Sequence, residues 1–249
     1  MILAALLLQA AAPPVGTIAG GDARRHAACT ALVKSDAVRA AAEADAWRVA
    51  GGGVPAAQCL GLAYVAQGRW APAAATFEQA AREAELQRDG RAATLWVQAG
   101  NAALGGDDPA RARAALDRAL ALPVLDGALR GEALIDRARA GAALKDWAGA
   151  RTDLDAAQKL VPGDPLLWLL SATLARSQSD LPRATRDVAE AVRLAPDDAD
   201  VALEAGDVAQ ATGHADAARV AWAEARRIDP DGDTGRAAAA RLAAPPAAP

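Results

Sequence analysis

Small and large apolar residues alternate at helical spacing in the stretch that begins at Leu60. Gly61 stands one helical turn before the bulky ring of Tyr64, and Gly68 interrupts the pattern soon afterwards. A second segment then has small, aromatic and small residues at i, i+4 and i+7, namely Ala73, Phe77 and Ala80. This spacing puts them on one helical face, where small residues allow close approach of a second helix. The pattern predicts two packed helices joined by a short turn.

The same pattern recurs four more times along the chain. Small residues take the Gly61 place: Gly100, Ala138, Ala172 and Gly206. Alanines take the Ala73 place: Ala112, Ala150, Ala184 and Ala218. Bulky residues take the Phe77 place: Leu116, Leu154, Val188 and Trp222. Alanines again take the Ala80 place: Ala119, Ala157, Ala191 and Ala225. Repetition in register favours an array of similar helix pairs over one isolated pair.

This register resembles the tetratricopeptide repeat, a helix–turn–helix unit of about 34 residues. The resemblance implies an all-α fold, a right-handed α-solenoid of stacked repeats with a C-terminal capping helix. Five repeats are predicted at 54–87, 93–126, 131–164, 165–198 and 199–232. The inserts 88–92 and 127–130 are each expected to add a turn to a second helix or to form a short loop.

The flanking segments complete the predicted organisation. Residues 22–53 are interpreted as a degenerate repeat that ends in a run of three glycines, 233–243 as the capping helix and 244–249 as a disordered tail. Residues 1–21 are interpreted as a signal peptide and leader, because a short apolar run is followed by small residues. A frayed first helix or a misplaced start codon remains the alternative, since no basic residue precedes the run. Export predicts a periplasmic or secreted protein without a membrane span in its mature form; otherwise the protein is cytoplasmic.

Composition narrows the classes of partner. Apolar residues make up 53% of the chain but aromatic residues only 3%, so burial relies on many alanine contacts. A net charge of −4 argues against nucleic acid as a partner, since nucleic-acid binding requires a basic face.

Candidate chemistry is sparse. His26 and His214 have no serine or cysteine placed to form a catalytic pair, and surface histidines are the simpler interpretation. The acidic pairs 107–108 and 197–198 each precede a predicted helix, so helix capping explains them better than a cation site. The sequence therefore predicts no enzyme activity, no cofactor and no metal.

Function is then expected from the surface. In the resembled family, set places of the first helices line a concave groove that binds a peptide or an extended protein segment. Carried over place by place, the groove residues are Asn101, Ile135, Arg139, Leu169, Thr173, Arg176, Leu203, Asp207 and Gln210. The two arginines are expected to grip a partner carboxylate. A protein or peptide is the predicted partner of a monomer or weak homo-oligomer; the alternative is a structural subunit that self-associates through its alanine-rich helices or ends.

The chain has two cysteines, Cys29 and Cys59. An even count in an oxidising compartment favours a disulfide. In the family register, the two places lie side by side on neighbouring first helices, which implies a bond between them. Two buried free thiols are the alternative, and a slip of one residue in the degenerate repeat would turn Cys29 away.

Overall fold

The structure is a computed structural model that describes residues 20–244. The described residues form thirteen α-helices and contain no strand, which confirms the predicted all-α helical-repeat fold. The helices are α1 Gly20–Ser35, α2 Ala37–Trp47, α3 Gly53–Ala66, α4 Trp70–Gln87, α5 Ala92–Gly105, α6 Pro109–Ala121, α7 Gly127–Ala143, α8 Trp147–Leu160, α9 Pro165–Ser177, α10 Leu181–Leu194, α11 Ala199–Ala211, α12 Ala215–Ile228 and α13 Asp233–Ala243. The predicted signal peptide and most of the predicted tail fall on residues 1–19 and 245–249, outside the described residues.

The described residues divide into two compact units, with the boundary between Ala102 and Ala103. In the first unit, α1 packs on α2 and α3, and α3 packs on α4. Gly61 on α3 permits a close contact with α4, because a Cβ atom there would lie 2.5 Å from the Phe77 ring. The small and large members of the sequence pattern therefore meet at a helix crossing.

In the second unit, α7 packs on α8, α9 on α10 and α11 on α12, and α13 lies against α11 and α12. The crossing of α11 and α12 repeats the arrangement of the first unit, since a Cβ atom on Gly206 would lie 2.3 Å from the Trp222 ring. Around Trp222, the buried alanines of α11, α12 and α13 form one apolar cluster. The last helix thus covers apolar surface of the final repeat.

Turns inside the repeats share one backbone design. A residue in the left-handed region follows the first helix of each of the five repeats after residue 53: Gly68, Asp107, Lys145, Ser179 and Gly213. The next residue donates its backbone N–H to a carbonyl oxygen five residues earlier, as Asp146 does to Gly141 at 2.8 Å. This geometry ends a helix by satisfying its last carbonyls.

Aspartates begin most helices of the second unit. The carboxylates of Asp108, Asp146, Asp164, Asp180 and Asp198 accept hydrogen bonds from backbone N–H groups in the first turns of their helices. Such caps satisfy amides that have no partner within the helix. The capping role predicted for the acidic pairs before α6 and α11 is therefore confirmed at Asp108 and Asp198.

The two inserts are accommodated differently. Residues 88–92 supply the loop between α4 and α5 and the first residue of α5. Residues 127–130 instead form the first turn of α7, which corrects the expectation of a longer second helix or a loop. Arg130 donates to the backbone oxygen of Leu120 at 3.0 Å, and this bond holds the extra turn against the end of α6.

A disulfide joins α1 to α3. The sulfur atoms of Cys29 and Cys59 are bonded, and their Cα atoms lie 6.2 Å apart. This distance is within the range of about 4.4–6.8 Å usual for disulfides. Both cysteines are buried in a cluster with Ala44 and Leu60. Closing the 30-residue separation contributes about 3–4 kcal/mol on chain-entropy grounds.

Within residues 20–244, one helical run, Ala37–Ala66, has the length and apolar composition of a membrane-spanning helix. Gly51, at a φ of 89°, kinks this run between α2 and α3. Half of its most apolar stretch is buried in the protein.

Candidate protein-binding surface

An open apolar cleft lies between α7, α8 and α9 of the second unit and has a volume of about 190 Å³. Its lining residues are Ala138, Arg139, Ala142, Trp147, Ala150, Leu154, Leu170, Thr173, Leu174 and Ser177. The space exists because three of the residues at this junction are alanines. Trp147, with 40% of its surface exposed, adds apolar surface at the start of α8.

The two hydroxyl groups that line this cleft are already engaged. The hydroxyl of Thr173 donates to the backbone oxygen of Leu169 at 2.9 Å, and that of Ser177 donates to the oxygen of Leu174 at 2.7 Å. Hydroxyls bonded to their own helix have little capacity left for a ligand. The cleft therefore presents mainly carbon atoms to an incoming group.

Arg139 is the charged side chain among the lining residues. Its Nη1 donates to Asp136 at 3.1 Å, and 42% of the Arg139 side chain is exposed. Within the described part of the chain, its Nε and Nη2 have no hydrogen-bond partner. Two predicted groove residues, Arg139 and Thr173, thus meet at one accessible site, and Arg139 retains free donors.

Arg176 has a different environment from the one predicted. Its Nε and Nη2 donate to the two carboxylate oxygens of Glu204 at 2.7 and 2.8 Å. The Glu204 side chain is 7% exposed and that of Arg176 29%. The hydrogen bonds that Arg176 donates to Glu204 raise the pKa of Arg176. The carboxylate that Arg176 binds here belongs to the next first helix, α11, of the same chain. Contact of Arg176 with a partner stays a prediction.

Asp207 is likewise occupied within the chain. It accepts hydrogen bonds from Arg241 of α13, one of them from Nη2 at 2.7 Å, and from the indole N–H of Trp222 at 3.0 Å. The Nη2 atom of Arg176 lies 3.8 Å from Oδ2 of Asp207. Asp207 therefore attaches the last helix to α11, and its contact with a peptide stays a prediction.

The remaining predicted groove residues are dispersed. Ile135 is 2% exposed and belongs to the core, so it is not accessible to a peptide. Leu203 packs partly buried against the Trp222 cluster. Leu169 is half-buried and Gln210 is exposed, whereas Asn101 lies exposed on α5 in the first unit. Peptide contact by Leu169, Gln210 or Asn101 stays a prediction.

Buried carboxylates form a second polar feature of this unit. Asp153 on α8 receives two hydrogen bonds from Arg137 of α7, at 2.6 and 2.8 Å. At the equivalent place in the next repeat, Asp187 on α10 accepts from Ser171 of α9 at 2.5 Å. Bonding to Asp153 raises the pKa of Arg137. Each pair connects the two helices of one repeat and satisfies a carboxylate that burial would otherwise destabilise.

Neither histidine occupies a reactive arrangement. The Nε2 atom of His26 is buried without a partner among the described residues, and burial, reinforced by the charge of Arg91, lowers the pKa of His26. His214 Nδ1 lies 3.0 Å from the hydroxyl of Thr212 in the turn before α12. Within residues 20–244, no group of three or more histidine, cysteine or acidic side chains is placed to hold a metal ion.

No protein-family model matches the sequence, and no curated protein matches it either. Solved structures do resemble it in fold. PilW, a widely conserved type IV pilus biogenesis factor, has a TM-score of 0.72 at 19% identity, over 88% of this chain and 99% of its own. PilF of Pseudomonas aeruginosa has a TM-score of 0.69 at 15% identity, over 89% of this chain and 99% of its own. YrrB, a TPR protein with an unusual peptide-binding site, has a TM-score of 0.56 at 18% identity, over 79% of this chain and 96% of its own. These likenesses show a fold of the tetratricopeptide-repeat type.

Proposed function

We propose that this protein is a non-catalytic scaffold that binds an extended segment of another protein, and that the cleft between α7, α8 and α9 anchors this segment. The observation that carries the proposal is an open apolar cleft on first helices of a helical-repeat fold, rimmed by an arginine with free donors. A buried apolar anchor surrounded by polar residues is the usual energetic centre of a protein interface.

The structural likeness to YrrB supports a binding function over a catalytic one, because YrrB is described as having a peptide-binding site. PilW is described as a pilus biogenesis factor, which agrees with a scaffold. At these identities the likeness is one of fold, so the cleft of this chain carries the argument for binding.

A cleft-filling variant tests the proposal. Peptides selected from a random display library on the wild-type protein are titrated against Ala142→Phe, which fills the cleft, and against Ala148→Phe on the exposed side of α8. We expect Ala142→Phe to weaken binding by about tenfold or more and Ala148→Phe to bind like wild type. Equal affinity of the wild type and Ala142→Phe would refute the anchor. Light scattering on the same samples separates this function from self-association, which requires a stable multimer without peptide.

The proposal also assigns the mature protein to the periplasm or the cell exterior. Export supplies the oxidising environment in which a bond between Cys29 and Cys59 persists. Thiol titration of denatured, unreduced protein from the native host is expected to find no free thiol. Two free thiols would contradict export.

A further inference from the structure

We infer that the segment bound in the cleft carries a bulky apolar side chain next to an acidic side chain, with the apolar group between α7, α8 and α9 and the carboxylate on Arg139. This inference rests on the proposed function and specifies the chemistry of the partner. It follows from the size, the polarity and the charge of the cleft.

The size of the cleft selects a single side chain. Its volume of about 190 Å³ is below the roughly 300–1,000 Å³ typical of small-molecule and cofactor sites. Its walls are the alanines of α7 and α8 and the leucines of α8 and α9. With the hydroxyls of Thr173 and Ser177 bonded to their own helix, a polar anchor would lose its water without gaining partners. A bulky apolar anchor has no hydrogen bonds to water to lose, and burial of its apolar surface in the cleft is favourable.

Charge at the rim selects an acidic neighbour. Arg139 has two nitrogen atoms free to donate, and Lys145 is exposed in the turn between α7 and α8. Two acids of α7 and the following turn are already engaged: Asp136 accepts from Arg139, and Asp146 pairs with Arg113 at 2.7 Å and caps α8. Arg139 on the cleft lining and Lys145 in the following turn therefore offer positive charge to a partner, and an acidic segment complements it.

The carboxylate is that of an internal acidic side chain and not that of a chain terminus. A terminal carboxylate is attached to the same Cα atom as the anchor, so it would be drawn into the cleft mouth with both oxygen atoms requiring donors. Among the lining residues Arg139 supplies such donors, while the hydroxyl groups are engaged. An acidic side chain beside the anchor reaches the exposed guanidinium and stays partly in water.

Fluorescence anisotropy with defined probes tests the inference. The probes are labelled peptides with blocked termini that carry Glu-Phe-Glu, Lys-Phe-Lys, Gln-Phe-Gln or Glu-Ala-Glu at the centre, and one unblocked peptide that ends in phenylalanine without acidic side chains. We expect Glu-Phe-Glu to bind about tenfold more tightly than Gln-Phe-Gln, and Lys-Phe-Lys and Glu-Ala-Glu to bind most weakly. Raised salt should reduce the advantage of glutamate.

Substitutions at Arg139 identify the cation responsible. Arg139→Gln should abolish the preference for Glu-Phe-Glu over Gln-Phe-Gln, and Arg139→Glu should reverse the order of the Glu and Lys peptides. Arg193→Gln and Arg193→Glu are the matched controls, because Arg193 also pairs with an acid three residues earlier, Glu190, but lies on α10 away from the cleft. Both controls should keep the wild-type order. Circular dichroism checks that every variant folds.

The outcomes separate the inference from the proposed function. If Gln-Phe-Gln binds as well as Glu-Phe-Glu and Ala142→Phe still blocks both, the acidic requirement is wrong while the anchor function stands. If the unblocked peptide binds as tightly as Glu-Phe-Glu, the internal carboxylate is wrong. If neither these probes nor display-selected peptides bind at all, the proposed function fails and the inference with it.

Discussion

Replacing Arg176 by glutamine is expected to destabilise the second unit and to leave the cleft intact. Arg176 holds Glu204 through two charge-assisted hydrogen bonds between α9 and α11. Because the Glu204 side chain is 7% exposed, Arg176→Gln leaves a carboxylate with little access to water and without its cation.

The magnitude follows from this geometry. Breaking a buried ion pair costs about 3–5 kcal/mol when one charge is left behind. Arg176 is 29% exposed, so water screens part of the interaction, and about 2–3 kcal/mol is the expected loss. For a chain of this size, that corresponds to a decrease in Tm of about 4–12 °C. Removing both charges in the Arg176→Gln/Glu204→Gln double variant should cost about 1–2 kcal/mol less than the sum of the two single variants.

Urea unfolding followed by circular dichroism, on the wild type, both single variants and the double variant, measures this coupling. Peptide titration of Arg176→Gln in the folded range should show wild-type affinity. A loss of stability below about 0.5 kcal/mol together with a loss of peptide affinity would refute the reasoning. Arg176 would then be a binding residue, as the repeat register predicts.

Three further predictions concern stability. Lys145→Gly should raise the free energy of unfolding by about 0.5–1 kcal/mol, because Lys145 occupies the left-handed region. Gly68→Ala at the equivalent turn should lower the free energy of unfolding by about 1 kcal/mol. Urea unfolding in which Lys145→Gly is destabilised or Gly68→Ala is stabilised would contradict this. Gly206→Ala should cost about 1–3 kcal/mol in the same assay, because its new methyl group overlaps the Trp222 ring, and an unchanged urea midpoint would show that the ring yields freely. Burial lowers the pKa of His26, so the unfolded chain takes up the proton first and stability falls as the pH decreases through about 6.5. His26→Gln should therefore reduce the fall in Tm between neutral and mildly acidic buffer, and an equal fall would exclude His26 as its source.

The helix pairing could be predicted because it depends on residue size at fixed places. Gly61 beneath Phe77 and Gly206 beneath Trp222 are visible in the sequence as small and large residues in register. Caps are equally local, since Asp108 needs only its own carboxylate and the amide three residues ahead. Interactions between residues at fixed, short spacings can be recognised directly from the sequence.

The groove chemistry could be predicted only in part, because it depends on which side chains find partners across repeats. Arg176 and Glu204 are 28 residues apart, and Arg241 reaches Asp207 across 34. A signal existed: opposite charges occupy neighbouring first helices, which favours pairing within the chain. The cleft beside Trp147 is formed where alanines at the junction of three helices leave a gap. A repeat register assigns residues to places on helices but does not predict the volume left between three helices.

The bond between Cys29 and Cys59 makes part of the main chain a closed covalent ring. That ring contains all of α2 and the three consecutive glycines at 51–53, where the helical run is kinked. A single cut by a protease anywhere between the two cysteines therefore produces two fragments that remain one molecule. The amino-terminal helix stays attached to α3 after such a cut, and only reduction of the disulfide together with cleavage releases it.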